Sequence, residues 1–320
     1  MNKTIKTKVS TVTCIQASRC IDTGKKIFTL ECEYPRAVHA QLLTHGVFSK
    51  NSSSTRAVPL ESAIKQILEN PAKVIWTTNQ SGMQGEVVTD LQQLEGANRL
   101  MAIAKNNMIQ IARSLSSTRS WGQNIHKQNA GRLLEPFQNI KIVLTATEWE
   151  NWDWLRIHED AQGEIADLAT AMKEARDTAE IMDLQPGEWH VPYVERIYNE
   201  SADTLEYGLN DPEEGFISLT VEEAKAVSMS VCAQVSYRKA DTSLEKANKM
   251  KGMLVNGHKV HASPFEHQAT PIPAFEWNAT SEWPEGVTHM RKDYSFGSGN
   301  FVNWIQHRQL IKNHDGANLT

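Results

Sequence analysis

Residues 35–59 read PRAVHAQLLTHGVFSKNSSSTRAVP, and the rest of the chain is organised around this stretch. It holds more hydrogen-bonding side chains than an apolar core can satisfy, because buried polar groups need partners. Apolar residues recur at nearly helical spacing from Val38 to Phe48, which predicts a helix there. The segment from Ser49 to Arg56 has no apolar residue and is predicted to be a loop.

This loop has two interpretations. Its backbone N–H groups, its hydroxyls and the guanidinium of Arg56 are suited to cradle a phosphate or a nucleotide. Its composition fits equally well an exposed serine-rich connector, in which Asn51 and the serines form local turns. Composition alone leaves both interpretations open.

The composition limits the classes of protein to which this chain can belong. A chain of 320 residues is long enough for one large or two ordinary domains, and 40% hydrophobic and 22% charged residues are typical of a soluble globular protein. A net charge of −5 and a pI of about 6.1 argue against non-specific binding to nucleic acid or to a membrane surface. The four cysteines form no Cys-x-x-Cys pair, and no apolar run has the length of a signal peptide or a membrane span. We therefore expect a reduced, cytoplasmic protein.

Periodicity predicts further elements along the chain. Strands are predicted at Lys26–Glu33, with one buried face, and at Ile140–Thr145, and helices at Leu60–Glu69, at 90–115, at Ala166–Met182 and from Val221 onward. The acidic segment Asn199–Glu214 is expected to be an exposed connector. This predicts a region over residues 1–185, a connector over 186–215 and a second region over 216–320.

Two arginines, Arg132 and Arg156, lie in apolar sequence contexts. A guanidinium in such a place needs a carboxylate, a phosphate or a planar base edge. The simplest structural explanation is an ion pair with one of the nearby carboxylates, which are Glu135, Glu148 and Glu164. Three tryptophans lie beside Arg156 and favour a core or a subunit interface over ligand stacking; they are Trp149, Trp152 and Trp154.

The spacing of His45, Ser49, Asn51, Ser54 and Arg56 resembles the signature loop of the flavin-dependent thymidylate synthases, Arg-His-Arg-x-x-Ser-x-Asn-Glu-x-Ser-x-Arg. Five of its eight defined positions match. The departures are Thr44 and Gly46 in place of the two flanking arginines and Ser52 in place of the glutamate.

Further motifs extend the resemblance. Arg132 in GRLLEP is similar to a nucleotide-binding arginine of these synthases, and Asn151 and Arg156 in ENWDWLR, followed by Ala-Gln-x-Glu at 161–164, resemble their Asn-x-x-x-Leu-Arg helix. The run SPFEH at Ser263–His267 resembles their Ser-Pro-Phe-Glu-His box, after an Ala-x-Val-Ser-Tyr entry at 233–237. In the familiar order this box precedes the signature loop, whereas here it lies far after it. The order resembles a circular permutation.

The resemblance implies an α+β fold, with a twisted, mainly antiparallel sheet flanked by helices, in a homotetramer. It implies reductive methylation of dUMP to dTMP with FAD, NADPH and methylenetetrahydrofolate. The substrate residues implied are Gln41, Ser54, Arg56, Arg132 and Arg156, of which Arg156 and Ser54 serve catalysis by polarising the pyrimidine and holding the phosphate. The flavin residues implied are His45, Asn51, Asn151 and His267.

Arg308, in the run NFVNWIQHRQL at 300–310, follows the Ser-Pro-Phe-Glu-His box as a flavin-binding arginine does in the familiar order. Our hypothesis is that Arg308 enters the flavin site and supplies positive charge that Thr44 and Gly46 do not. The alternative is a C-terminal Arg308 that faces water.

Other functions stay open on the sequence. One is a related flavin-dependent modification of another pyrimidine nucleotide, since Gly46 and Ser52 change the part of the loop expected to face the ligand. Another is a homologue that binds nucleotide or flavin without catalysis. No metal site is expected, because His258, His261 and His267 lack an i,i+4 pair and a further ligand at suitable spacing.

Overall fold

The computed structural model describes residues 3–82, 85–211, 213, 215–236, 239–256, 260–275 and 282–316. The helices are α1 His39–Leu43, α2 Leu60–Glu69, α3 Leu91–Ser116, α4 Lys127–Ala130, α5 Glu150–Arg156, α6 Gly163–Asp177, α7 Val221–Ala233 and α8 Leu244–Val255. The strands are β1 Thr4–Lys6, β2 Thr11–Cys20, β3 Lys26–Pro35, β4 Ser49–Ser52, β5 Asn139–Ala146, β6 Met182–Leu184, β7 Glu195–Asn199, β8 Thr204–Asp211, β9 Gly215–Leu219, β10 Ala269–Pro271, β11 His289–Met290, β12 Phe296–Ser298, β13 Phe301–Val302 and β14 Trp304–Gln306. Short 3₁₀ helices lie at Arg36–Val38, Gly131–Phe137, Ser263–Glu266 and His307–Leu310.

The main sheet has the strand order β1-β2-β3-β5-β4, and β6 pairs in parallel with residues 18–20 of β2. The other pairings between named strands in the described part of the chain are antiparallel. Helix α6 packs on β2 and β3. The protein is therefore α+β with a mainly antiparallel sheet, as the sequence predicted.

Strand β3 is buried on both faces, which is more than its alternation predicted. Phe28, Leu30 and Cys32 belong to the core cluster that includes the apolar side of α6. Ile27, whose side chain lies on the opposite face of the strand, packs with Trp304 from the C-terminal part of the chain. The prediction of a single buried face was wrong because the C-terminal segment covers the second face.

The predicted helix at Val38–Phe48 is shorter than expected. A 3₁₀ turn at Arg36–Val38 leads into α1, which ends at Leu43, and the Thr44 hydroxyl donates to the Gln41 carbonyl 2.7 Å away. The chain then turns so that Phe48 packs into the core. The predicted loop at Ser49–Arg56 is also wrong in its first half, because Ser49–Ser52 forms edge strand β4 on β5.

Two predictions after Arg156 need correction. The helix expected to reach Met182 ends at Asp177, and Met182 lies in β6. The acidic segment expected to be an exposed connector forms a three-stranded antiparallel sheet of β7, β8 and β9. The division of the chain at 185 and 215 stays a prediction, although Leu184 and Trp304 share one hydrophobic cluster.

The C-terminal segments bring the Ser-Pro-Phe-Glu-His box onto the main sheet. The box forms a 3₁₀ helix followed by β10, which pairs with β14. A backbone bridge joins Ala269 to His190, with N–H to carbonyl distances of 2.8 and 3.1 Å. These contacts place His267 against the face of the sheet that presents Thr145.

Candidate active site

The turn after α1 places His45 beside Arg156 at the end of α5. The Arg156 Nε donates to His45 Nε2 at 3.1 Å, and the edge of Trp152 meets the imidazole with ring centroids 4.7 Å apart. Burial, followed by the positive charges of Arg156 and Lys50, lowers the pKa of His45. His45 is therefore neutral, with Nε2 unprotonated, and it fixes the direction of the Arg156 side chain.

The carboxylates that were the simplest partners for Arg132 and Arg156 are occupied elsewhere. Glu135 accepts from Thr55, Glu148 pairs with Lys25 and Arg291, and Glu164 accepts from the Ile75 N–H and from Gln162. Within the described part of the chain, neither Arg132 nor Arg156 has a carboxylate within ion-pairing distance. Both guanidiniums keep N–H donors for a ligand.

Gln41 is linked to the same end of the site. Its amide nitrogen donates to the Gln162 side-chain oxygen at 2.6 Å, and the Gln162 amide nitrogen donates to Glu164 at 3.2 Å. Glu164 is buried and also accepts the Ile75 N–H at 2.9 Å. The segment after α5 therefore holds α1 in place through side-chain amides.

Strand β4 brings Asn51 onto His267, with 3.1 Å between the Asn51 carboxamide and His267 Nε2. The carboxamide is satisfied when its nitrogen is the inner atom, because it then donates towards His267 Nε2 at 3.1 Å, the Ser263 carbonyl at 3.2 Å and the Lys50 carbonyl at 3.1 Å. His267 is fully buried whereas Asn51 is partly exposed. Asn51 thus separates the histidine of the box from solvent.

The other half of the loop borders a cavity of about 400 Å³. The Ser54 backbone N–H donates to Ser236 Oγ at 2.9 Å, which ties the loop to the turn after α7. Arg36 lines the same cavity, and its Nε is buried with no hydrogen-bond partner among the described residues. Burial lowers the pKa of Arg36. The cavity therefore has guanidinium and hydroxyl donors of the kind that bind phosphate.

Comparison with known families adds an independent observation. Residues 26–179 match the family model described as thymidylate synthase complementing protein. The matched region is just under half of the chain, and it is similar to that family. The match includes the signature loop, Arg132 and helix α5, but it ends before the Ser-Pro-Phe-Glu-His box. No curated protein matches the chain.

The structure brings some of the residues suggested by this thymidylate synthase family together and leaves others apart. His45 meets Arg156, and Asn51 meets His267. The remaining predicted residues border the surface: Arg56, whose backbone N–H donates to Ser54 Oγ at 3.3 Å, and the exposed Arg132 and Asn151.

Arg308 lies beside the box of the family. It pairs with Glu266, the residue before His267, and its Nη2 donates to the His314 carbonyl at 3.3 Å. The Glu266 carboxylate therefore compensates the positive charge of Arg308. The hypothesis that Arg308 serves the flavin stays a prediction, and among the described residues no ion pair or hydrogen bond joins it to Arg56.

Two of the three tryptophans are core residues. Trp149 and Trp152 are buried, whereas Trp154 is 74% exposed. The sequence favoured core or interface for the group, and the structure confirms the core role for the first two. Trp154 remains free on the outer side of α5.

Some contributors to the site carried no signal in the sequence. Arg36 follows Pro35 at the end of β3, and nothing around it distinguishes it from a surface arginine. Thr145 lies in a strand that was predicted as structural, yet its hydroxyl contacts His267 Nδ1 at 2.9 Å. Only the packing of distant segments reveals these contacts.

Other chemistries find little support in the described residues. They contain no group of three or more histidine, cysteine or carboxylate side chains placed to bind a metal; His258 lies outside them. Cys32, the cysteine nearest the loop in sequence, is buried, and burial raises the pKa of its thiol well above its usual value. A thiolate nucleophile there is disfavoured. No helix in the described ranges has the length and apolar character needed to cross a membrane.

Proposed function

We propose that the protein is a flavin-dependent thymidylate synthase that reductively methylates dUMP to dTMP. The observation that carries this proposal is the contact between Asn51 and His267. Asn51 belongs to the region that matches the family, whereas His267 belongs to a motif outside that region. Two segments far apart in the sequence, each carrying a motif that resembles the family, therefore meet at this contact, which supports the proposal.

The donor set fits a flavin. An isoalloxazine ring presents carbonyl oxygens and ring nitrogens along one edge, and the Asn51 carboxamide offers a group that complements such an edge. We propose that His45, Asn51, Asn151 and Arg308 hold FAD directly. His267 contributes indirectly, through its contact with Asn51. When bound, FAD carries electrons from NADPH, and methylenetetrahydrofolate supplies the carbon.

The second half of the loop fits a nucleotide phosphate. A phosphate dianion requires several charged or N–H donors. Ser54 and Arg36 border one cavity, so that a hydroxyl-bearing and a guanidinium-bearing residue line the place proposed for the phosphate. Arg56 and Arg132 add exposed positive charge on neighbouring segments, and we assign these four residues to the phosphate.

Arg156 is proposed to polarise the pyrimidine, with Gln41 at the same end of the site. Its Nε is committed to the neutral His45, so the terminal N–H groups are oriented before a ligand binds. Such preorganised donors stabilise charge that develops on a pyrimidine carbonyl. No protein nucleophile is required in this scheme, which agrees with four buried, free cysteines and with a reducing, cytoplasmic setting.

A tetramer is also part of the proposal. Helix α3 exposes large apolar residues, which are Leu91, Leu100, Ile103 and Ile111. We propose that partner subunits cover these exposed apolar side chains. Light scattering of the purified protein tests the subunit count, and a monomer at all concentrations contradicts it.

A homologue that binds ligand without catalysis is the second candidate, because Thr44, Gly46 and Ser52 lie exposed around the loop without the charges of the family. The deciding experiment is anaerobic titration of the flavin-loaded protein with NADPH, with and without dUMP, followed by nucleotide product analysis. The synthase is expected to bleach the flavin in a dUMP-dependent way and to form dTMP. Bound flavin without turnover supports the second candidate, and a different methylated or hydroxymethylated product identifies another pyrimidine substrate.

A matched pair of variants localises the activity. Arg156→Gln removes the guanidinium beside His45, whereas Arg19→Gln removes one from an exposed ion pair with Asp183. We expect the first variant to lose at least about 100-fold in turnover, since one preorganised donor contributes on that scale, and the second to keep it. Equal activity of both variants contradicts the assignment of Arg156.

A further inference from the structure

A continuous chain of hydrogen bonds runs from the proposed flavin site across the main sheet. It starts at Asn51 and passes through His267 to the paired strands β5 and β3. It then continues through His190 along the same face of the sheet and ends at a buried serine of β2. The links are Asn51 to His267 Nε2 3.1 Å, His267 Nδ1 to Thr145 2.9 Å, Thr145 to Thr29 2.7 Å, Thr29 to His190 Nε2 2.9 Å, His190 Nδ1 to Ser18 2.8 Å, and Arg196 Nη1 to Ser18 2.6 Å.

The interior of this chain is dry. The five inner members are 0% exposed; they are Ser18, Thr29, Thr145, His190 and His267. Burial lowers the pKa of His267 to about 3 and the pKa of His190 well below its usual value. Both imidazoles are therefore neutral, and each has one N–H donor and one acceptor nitrogen.

The Asn51 end determines the direction of the bonds in this chain, because a serine hydroxyl that accepts from Arg196 can still either donate to His190 or accept from it. A guanidinium only donates, so Ser18 accepts from Arg196. At the other end, the Asn51 amide nitrogen faces two backbone carbonyls as well as His267 Nε2. His267 then carries its proton on Nδ1 and donates to Thr145.

The same order continues inward. Thr145 donates to Thr29, which donates to His190 Nε2, and His190 Nδ1 donates to Ser18. Each of the two threonines and two histidines thus accepts once and donates once, whereas Ser18 accepts from both His190 and Arg196. The backbone bridge between His190 and Ala269 fixes the two histidines relative to each other.

We propose that Thr145, Thr29 and His190 are positioning residues that hold His267 in the tautomer protonated on Nδ1 and so orient the Asn51 carboxamide. In this orientation the Asn51 nitrogen points inward, and its oxygen faces the ligand as a hydrogen-bond acceptor. The other tautomer of His267 would present an N–H to Asn51 and turn the amide nitrogen outward.

This orientation selects the ligand group that Asn51 can bind. An outward oxygen accepts from an N–H or O–H group and rejects a bare carbonyl, since two acceptors facing each other leave both unsatisfied. The oxygen makes no hydrogen bond within the described residues, whereas the nitrogen has three acceptors. The identity of the ligand as flavin rests on the proposed function, but the tautomer of His267 does not.

Nuclear magnetic resonance of the full-length protein labelled with ¹⁵N in histidine tests the tautomer without any ligand. Long-range proton–nitrogen spectra distinguish a protonated from an unprotonated ring nitrogen. We expect His267, assigned through His267→Gln, to carry its proton on Nδ1. A proton on Nε2 in the unmodified protein overturns the proposal.

Three variants separate positioning from general damage. Thr145→Val keeps the shape of the side chain and removes the hydroxyl, and Thr145→Ser keeps the hydroxyl. Thr147→Val removes a nearby buried hydroxyl that accepts the Val302 N–H at 3.0 Å and lies outside the chain of bonds. We expect Thr145→Val to populate the other tautomer of His267, and Thr145→Ser and Thr147→Val to retain the original one. An unchanged tautomer in Thr145→Val overturns the proposal.

Affinity for FAD, measured by fluorescence titration, gives the second readout. Losing one oriented hydrogen bond is expected to weaken binding by about 5- to 10-fold in Thr145→Val, with less than about twofold change in Thr145→Ser and Thr147→Val. Equal weakening by Thr147→Val shows general damage and overturns the positioning role. If the unmodified protein binds no FAD, the proposed function fails. The tautomer measurement still decides whether Thr145, Thr29 and His190 position His267.

Discussion

We expect His307 to make the stability of the protein depend on pH. It is 5% exposed, between the rings of Trp189 and Phe265 with centroids 5.5 and 5.3 Å away. Its Nδ1 is buried with no hydrogen-bond partner among the described residues. Burial, followed by the positive charges of Lys225 and Lys251, lowers its pKa to about 3.

The sign of the effect follows from proton linkage. The pKa of the imidazole is 6.5 as a free group and about 3 in the folded protein. Between these values the unfolded chain binds a proton that the folded chain does not, so stability falls as the pH falls. From pH 6.5 to about pH 4.5, this one histidine costs about 2 kcal/mol of unfolding free energy.

His307→Phe removes the titrating imidazole and keeps an aromatic ring between Trp189 and Phe265. We expect the loss of stability between the two pH values, measured by urea unfolding, to shrink by about 2 kcal/mol. The absolute stability at pH 7 is a poor readout, because the larger ring also changes packing. The control, His158→Gln, removes a histidine side chain that is 50% exposed, and it is expected to keep the slope of the unmodified protein. An unchanged slope in His307→Phe refutes the reasoning.

Four further outcomes can be measured. Arg176→Met breaks the buried pair with Asp153, 2.7 Å long, and is expected to cost about 3 kcal/mol in urea unfolding; a loss below about 1 kcal/mol contradicts it. Thr220→Ala removes the capping box of α7 and is expected to cost about 1 kcal/mol in the same assay. Arg36→Gln is expected to weaken dUMP binding about 10-fold by calorimetry at an unchanged urea midpoint, and unchanged binding removes Arg36 from the phosphate site. Gly46→Arg is expected to leave the urea midpoint unchanged and to tighten FAD binding up to about fivefold, whereas weaker binding argues against a flavin there.

The sequence predicts elements best where its signals are local. Helix α2 has the predicted bounds, because Pro59 opens it and Pro71 follows its end. Strand β4 escaped prediction because it contains only polar residues, and these are satisfied by distant groups. For example, Ser49 is buried and accepts from the Gln306 side chain at 3.0 Å. No window of sequence around Ser49 contains that partner.

In the candidate site, too, the sequence predicts residues that belong to local motifs and misses those that depend on contacts between distant segments. Motif spacing pointed to Asn51 and His267, and the structure places them in contact. Motif spacing did not point to Thr145 or Arg36, because their place in the site depends on which segments pack beside them. The order of the segments along the chain carries no such information. Only the antiparallel pairing of β4 with β5 and the docking of the box on that sheet bring these residues together.

The departures of the signature loop from its family change charge without changing shape. A Cβ added at Gly46 meets no atom within 4 Å, and Thr44 and Ser52 are exposed, so packing does not exclude longer side chains at these positions. The Thr44 hydroxyl donates to the Gln41 carbonyl, and the Lys50 ammonium, which donates to the His45 carbonyl at 2.7 Å, also holds the loop. Lys50 and Arg156 already place positive charge beside His45. The loss of two arginines therefore supports an inactive homologue less strongly than the motif comparison alone suggests, because other residues supply part of the positive charge beside His45.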